Sequence, residues 1–190
     1  MRIVLGTLLI DAVVRNYVTI ISEYYRLIRL PEWSFGLLGA ASAAVGFFVP
    51  TIAKWSGKRY SPRANLALVA TIVFLCLLAV IPAIPYFFLP VVILFTSFSF
   101  LEFISSSTLN KLADSSQRAT VLSVKGLCWN FGYGALALGY AGALGWFESR
   151  EGSPGAALKL ALPWQAAWFA ITIVLFFLIF WRSARPSSSQ

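Results

Sequence analysis

Three ionisable side chains stand where an apolar chain should have none. Asp11 and Arg15 interrupt the aliphatic run at the start of the chain, and Glu102 interrupts FTSFSFLEFISSS. Four residues make about one helical turn, so Asp11 and Arg15 share a helical face. On insertion scales such a group costs about 2.5–3.5 kcal/mol at mid-bilayer, and it pairs or lines a water-filled cavity. Asp11 lies eight residues after Ile3 and Glu102 eight before Asn110. At 1.5 Å per residue both are expected roughly 12 Å in from the same end of the molecule. Two arrangements satisfy these charges. In one, Asp11, Arg15 and Glu102 form a cluster on a cavity, with Arg15 neutralising one carboxylate and the other left for a proton or a cationic substrate. In the other, Asp11 and Arg15 pair within one helix and Glu102 bonds to Ser or Asn neighbours such as Ser99 or Ser105.

A second group, Ser123, Lys125, Trp129, Asn130 and Tyr133, follows in the next apolar run. Trp129 offers a stacking platform for a cation, and Trp129 and Asn130 join Asp11, Arg15 and Glu102 as candidates for substrate contact or proton coupling. Packing or interfacial roles compete with that reading. Lys125 is expected to snorkel back to the headgroups on its flexible stem.

The elements that must hold these residues are membrane helices. The chain is 59% hydrophobic and 12% charged, against about 25% charged in soluble domains. Its 190 residues accommodate six spans of ~20 residues each. These are expected at 3–25, 34–55, 65–83, 86–107, 120–146 and 163–181. Met1-Arg2 and the apolar residues after it superficially resemble a signal peptide, but Asp11 and Arg15 interrupt the run and no small-residue cleavage site follows, so it reads as a mature span. Pro31 ends the first span, and Pro50 and Pro90 are expected to kink theirs. A polar loop is expected at Glu148–Lys159, and residues 183–190 read as a disordered tail. Cys76 and Cys128 both fall in apolar runs and read as inert buried thiols rather than a disulfide.

Fifteen Lys and Arg stand against seven Asp and Glu, and their placement reads as topology rather than as nucleic-acid binding. Arg2, Lys54, Lys58, Arg59, Arg63, Lys111, Arg118, Arg182 and Arg185 fall on one side of the expected spans. Arg26, Arg29, Arg150 and Lys159 fall on the other. Basic loops are retained in the cytoplasm, which puts both termini there in a plasma or inner membrane. Trp33, Trp146 and Trp164 at one face, and Trp55 and Trp181 at the other, suit interfacial anchoring.

The spans also repeat in character. The first and fourth carry the interior carboxylates. The second and fifth are rich in Gly and Ala, suited to close helix contact. The third and sixth are apolar all round, which favours lipid. Residues 1–83 and 84–182 are thus expected to form two three-helix repeats, and an odd number of spans makes them inverted in topology.

On this background the stretches Ser22–Phe48, Trp55–Arg63 and Leu109–Gly134 resemble the C-terminal six-helix half of a major facilitator superfamily transporter. The run Arg118–Ser123, RATVLS, is similar to one opening the fifth helix of that half in many bacterial members. The loop 56–63 keeps the Gly and basic residues of the family's short-loop motif but lacks its Asp. The resemblance implies an all-α bundle whose first helices line a cavity, whose second helices pack between halves and whose third helices face lipid. It implies alternating-access transport of a small solute, with a separate N-terminal half or a second copy as partner beside the lipids. A truncated gene product, or a scaffold derived from such a half, is the competing expectation.

Enzyme readings find little to stand on. The chain has no His, so a Ser–His or Cys–His pair is excluded, as is a His-based metal site. No Gly-x-x-x-x-Gly-Lys-[Ser/Thr] loop for phosphates occurs. No enzymatic activity, cofactor or metal is therefore expected.

Overall fold

The computed structural model describes residues 2–182. The expected tail 183–190 with Arg185 lies outside the described residues, as do the side chains of Trp181 and Arg182. Seven helices and no strand occur among the described residues: α1 (Arg2–Thr19), α2 (Ile21–Leu27), α3 (Trp33–Arg59), α4 (Pro62–Val80), α5 (Leu89–Leu112), α6 (Arg118–Glu151) and α7 (Pro154–Arg182). Four of them, α3, α4, α5 and α7, are long and apolar enough to cross a membrane, and α1 with α2 makes a fifth candidate if the pair is one span. The protein is therefore all-helical, with the helices of a membrane protein.

The expected single first helix is in fact two, bent by 57° at Ile20. No Pro or Gly lies at this break. The β-branched run of Val18, Thr19, Ile20 and Ile21 does not suffice to cause it, since the like run at 171–174 lies within unbroken α7. At the break the Thr19 hydroxyl donates to the Arg15 carbonyl at 3.0 Å, and the Ile20 amide turns to the Tyr17 carbonyl at 3.2 Å. Beyond α2 the chain turns through Arg29, at φ 62°, and the Tyr86 amide donates to the Ile28 carbonyl at 2.9 Å. That bond ties the first loop to the one between α4 and α5.

Two Ser-Pro pairs open helices ahead of the starts expected at 65 and 163. Ser61 caps α4 by accepting from the Ala64 amide at 3.2 Å. Ser153 does the same for α7, accepting from Ala156 at 3.3 Å. In both, Pro occupies the first helical position, where its missing N–H costs nothing. The polar loop expected at 148–159 accordingly shrinks to Gly152 and Ser153, with Gly152 at φ 69° ending α6, and Pro163 lies inside α7. Pro90 likewise sits in the first turn of α5, so it starts that helix instead of kinking it.

α1 is the central element, packed against α4, α5, α6 and α7. Its Ile10, Val13, Val14 and Tyr17 are buried with Leu66, Val73 and Leu77 of α4 and Leu162, Phe169 and Phe176 of α7. Gly6 lets α1 approach closely: a Cβ there would run into the side chains of Leu66 and Phe176. α3 leans mainly on α5, and α6 runs between α1 and α7. α4 and α7 each bury one face and expose the other, Leu75 and Ile179 being examples of the exposed set. α7 is not apolar throughout, because buried Gln165 donates from Nε2 to the Val13 carbonyl at 3.2 Å.

Most Gly residues of α3 and α6 form no helix contact within this chain, the exceptions being Gly132 and, at 3.7 Å from Ser99 of α5, Gly46. A Cβ added at Gly36, Gly39, Gly126, Gly134, Gly139, Gly142 or Gly145 would meet nothing within 4 Å. Gly132 alone comes close to a neighbour in α6, at 3.2 Å from Leu8. The expected small-residue faces exist, but they look outward.

Candidate functional site

α1, α5 and α6 converge, and their interior charges turn toward the seam. Asp11 is fully buried, with Arg15 Nη2 3.2 Å from its Oδ2. Neither Asp11 oxygen takes a well-directed hydrogen bond, so Arg15 holds this carboxylate by charge more than by bond geometry. Arg15 spends its other reach across the seam, where Nη1 donates to Asn130 Oδ1 of α6 at 2.8 Å. Its guanidinium carbon lies 5.3 Å from the Phe98 ring centroid, 5.7 Å from that of Tyr133 and 6.0 Å from that of Trp129.

Glu102 of α5 is not left over. Lys125 Nζ donates to its Oε1 at 2.6 Å and to Ser106 Oγ at 2.8 Å, while the Ser106 hydroxyl is also within 3.1 Å of Glu102. The Lys125 ammonium sits 4.4 Å from the Trp129 ring centroid. Trp129 is 2% exposed and is shared by both cations, an arrangement that contributes up to ~2 kcal/mol when desolvated. A cavity of about 240 Å³ opens against Arg15, Glu102, Ser106, Lys125, Trp129 and Asn130.

Several expectations change here. Lys125 does not snorkel: its side chain is 6% exposed, against 47% for Glu102. Glu102 does bond to a neighbouring Ser, but to Ser106 and together with Lys125, and the Ser105 hydroxyl is buried without a partner. The free carboxylate that Arg15 was expected to leave behind is therefore absent from the cluster, which holds two ion pairs. Asp11, Arg15, Glu102, Trp129 and Asn130 are brought together. Ser123 is exposed on α6 and does not join them, whereas Tyr133 is reached by a 2.9 Å hydrogen bond between its hydroxyl and that of Thr19. Ser106 is the site residue not singled out from sequence, and Lys125 is the one assigned elsewhere, to the headgroups. Both carried a signal, the i,i+4 spacings Lys125–Trp129 and Glu102–Ser106, each of which puts two side chains on one face.

The residues expected to set topology lie outside the cluster. Lys54, Lys58 and Arg59 are exposed on the last turns of α3, Arg63 on the first turn of α4, and Lys111 and Arg118 flank the α5–α6 connection. At another site Arg26 and Arg29 share a groove with Pro154 and Gly155, so the α2 end and the α6–α7 turn are neighbours. Trp33, Trp55, Trp146 and Trp164 are all exposed. Cys76 is buried and Cys128 exposed, both as free thiols, which corrects the expectation that Cys128 is buried. No protein-family model matches the chain, and neither a curated protein nor a solved structure is significantly similar to it.

Proposed function

We propose that the chain is one half of a secondary active transporter of the major facilitator type. It would move a small solute by alternating access, opposite an N-terminal half or a second copy of itself. The observation that carries this reading is the cavity between α1, α5 and α6, lined by Arg15, Glu102 and Lys125, whose two cations share Trp129 and are held in ion pairs. Charges kept at such expense inside an apolar bundle line substrate or ion pathways.

The packing pattern supports two exchanged triplets, α1–α3–α4 and α5–α6–α7, with α2 as the bent end of the first helix. α1 packs on α6 as α5 packs on α3, and α1 meets α7 as α5 meets α4. The match is incomplete, since α6 and α7 pack extensively whereas α3 and α4 barely meet. In this reading α6 also crosses the membrane, as the fifth of six spans. Its 34 residues reach ~51 Å, beyond a hydrocarbon core of ~30 Å. Both termini then lie in the cytoplasm with Lys54, Lys58, Arg59, Arg63, Lys111 and Arg118, in the plasma or inner membrane. The bare Gly faces of α3 and α6 await the other half.

One observation favours a non-transporting scaffold instead: the ion pairs satisfy each other, leaving no unpaired charge for coupling. Cysteine accessibility separates the two. Cys76→Ala and Cys128→Ser remove both native thiols, and Asn130→Cys then reports on the cavity. In right-side-out and inside-out vesicles, a transporter exposes this thiol to a membrane-impermeant methanethiosulfonate reagent from both sides, at rates that change with the partner half present. Labelling from one side only, under every condition, excludes alternating access.

A further inference from the structure

The cavity at Lys125 does not stand alone. Ser106 also lines a second, wider opening of about 610 Å³, whose wall carries Asn110, Lys111 and Arg118. The two cavities thus meet at Ser106, which is one hydrogen bond from Lys125. Lining the pair are four cationic side chains, Arg15, Lys111, Arg118 and Lys125, and one carboxylate, Glu102. Asp11 is fully buried and lines neither. A route with that balance concentrates anions and repels cations.

The burial of the two partners decides how an anion is received. Lys125 is almost fully enclosed while Glu102 is half exposed, so Glu102 is the outer, displaceable member and covers the cation. Arg15 is less available, being already engaged by Asp11 and Asn130. We propose that this site binds a small organic anion, whose carboxylate or equivalent oxyanion takes the Lys125 ammonium and the Ser106 hydroxyl from Glu102. The displaced Glu102 carboxylate turns toward the wider opening, where Lys111 and Arg118 lie. The cavity at Lys125 is slightly smaller than the ~300–1,000 Å³ of usual ligand pockets, which suits a small metabolite-sized solute. This reverses the cationic substrate expected from the carboxylates alone. It rests on reading the cavity as the transport site, but it is tested by binding without flux, so either can fail separately.

The test uses the full chain in phosphatidylcholine nanodiscs and fluorine NMR line broadening at fixed salt. The probes are 4-fluorobenzoate, 4-fluorobenzylamine and 4-fluorobenzyl alcohol, with empty nanodiscs subtracted. Broadening is expected for the benzoate alone. Glu102→Gln removes the internal competitor and should tighten benzoate binding about tenfold, the equivalent of roughly 1.4 kcal/mol. The double variant Glu102→Gln with Lys125→Gln keeps the pair neutral and should abolish binding while its melting curve shows that it is folded. The proposal is overturned if the benzylamine binds as well as the benzoate, if Glu102→Gln weakens benzoate binding, or if the double variant retains it. Phosphatidylglycerol nanodiscs supply the remaining arm. A Lys125-dependent change in the headgroup phosphorus signal there, without benzoate binding in phosphatidylcholine, assigns the site to lipid and overturns the solute.

Discussion

Glu102 and Lys125 form one ion pair, yet their removal should have unequal consequences. Taking away Glu102 leaves an ammonium that is 6% exposed, whereas taking away Lys125 leaves a carboxylate that is 47% exposed. An uncompensated buried charge costs about 3–5 kcal/mol, and a half-exposed one recovers much of its hydration. Glu102→Ala is thus expected to lower stability by about 3 kcal/mol and Lys125→Ala by less, about 1–2 kcal/mol with the lost contact to Trp129 included, read as thermal unfolding in detergent. Equal losses would show that Lys125 reaches water after all. The same reasoning orders the other pair. Arg15→Gln strands a fully buried Asp11 and should cost about 3 kcal/mol or more. Asp11→Asn leaves Arg15 bonded to Asn130 and set against three aromatic rings, so its cost should stay near ~1 kcal/mol. Asp11 and Arg15 were legible as a pair because one helical turn separates them. The pairing of Glu102 with Lys125 crosses between two helices, and no spacing along the chain announces it.

Among the elements, the joint between α6 and α7 is the most economical. Gly152 supplies a left-handed residue and Ser153 the cap of the next helix. Gly152→Ala should cost about 1–2 kcal/mol, because a Cβ is strained in that conformation, and Gly152→Asn should cost less. Ser153→Ala should cost about 1 kcal/mol through the lost cap. Chemical denaturation of the single variants measures all three, and no loss at Gly152→Ala would mean that the turn relaxes. Polar residues at 148–159 suggested a loop, since composition cannot show that Ser-Pro restarts a helix only two residues after Gly stops one. The break at Ile20 was hidden for the opposite reason: β-branched residues with a back-bonding Thr also fill unbroken α7, so nothing in the local sequence sets this position apart.

At the level of the whole molecule, the glycines divide into two kinds. Gly6 is enclosed by Leu66 and Phe176, so Gly6→Val should destabilise the isolated chain by about 1–3 kcal/mol through overpacking. Gly139 and Gly142 face open space. Gly139→Leu and Gly142→Leu should leave unfolding of the isolated chain unchanged within about 0.5 kcal/mol. If that face receives another half or a second copy, the same variants should abolish disulfide cross-linking between cysteines engineered along α6. Cross-linking that survives them would place the partner elsewhere.

Sequence by itself determined that this is a bundle of apolar helices, because hydrophobic run length and charge scarcity are properties of the chain and need no neighbour. It also determined which residues are too costly to be idle, since the expense of Asp11, Arg15 and Glu102 in lipid depends on their chemistry alone. Tertiary structure decided how those charges are spent. Burial is set by which helices meet, so only the convergence of α1, α5 and α6 could enclose Lys125, close both ion pairs over Trp129 and turn the glycine faces outward.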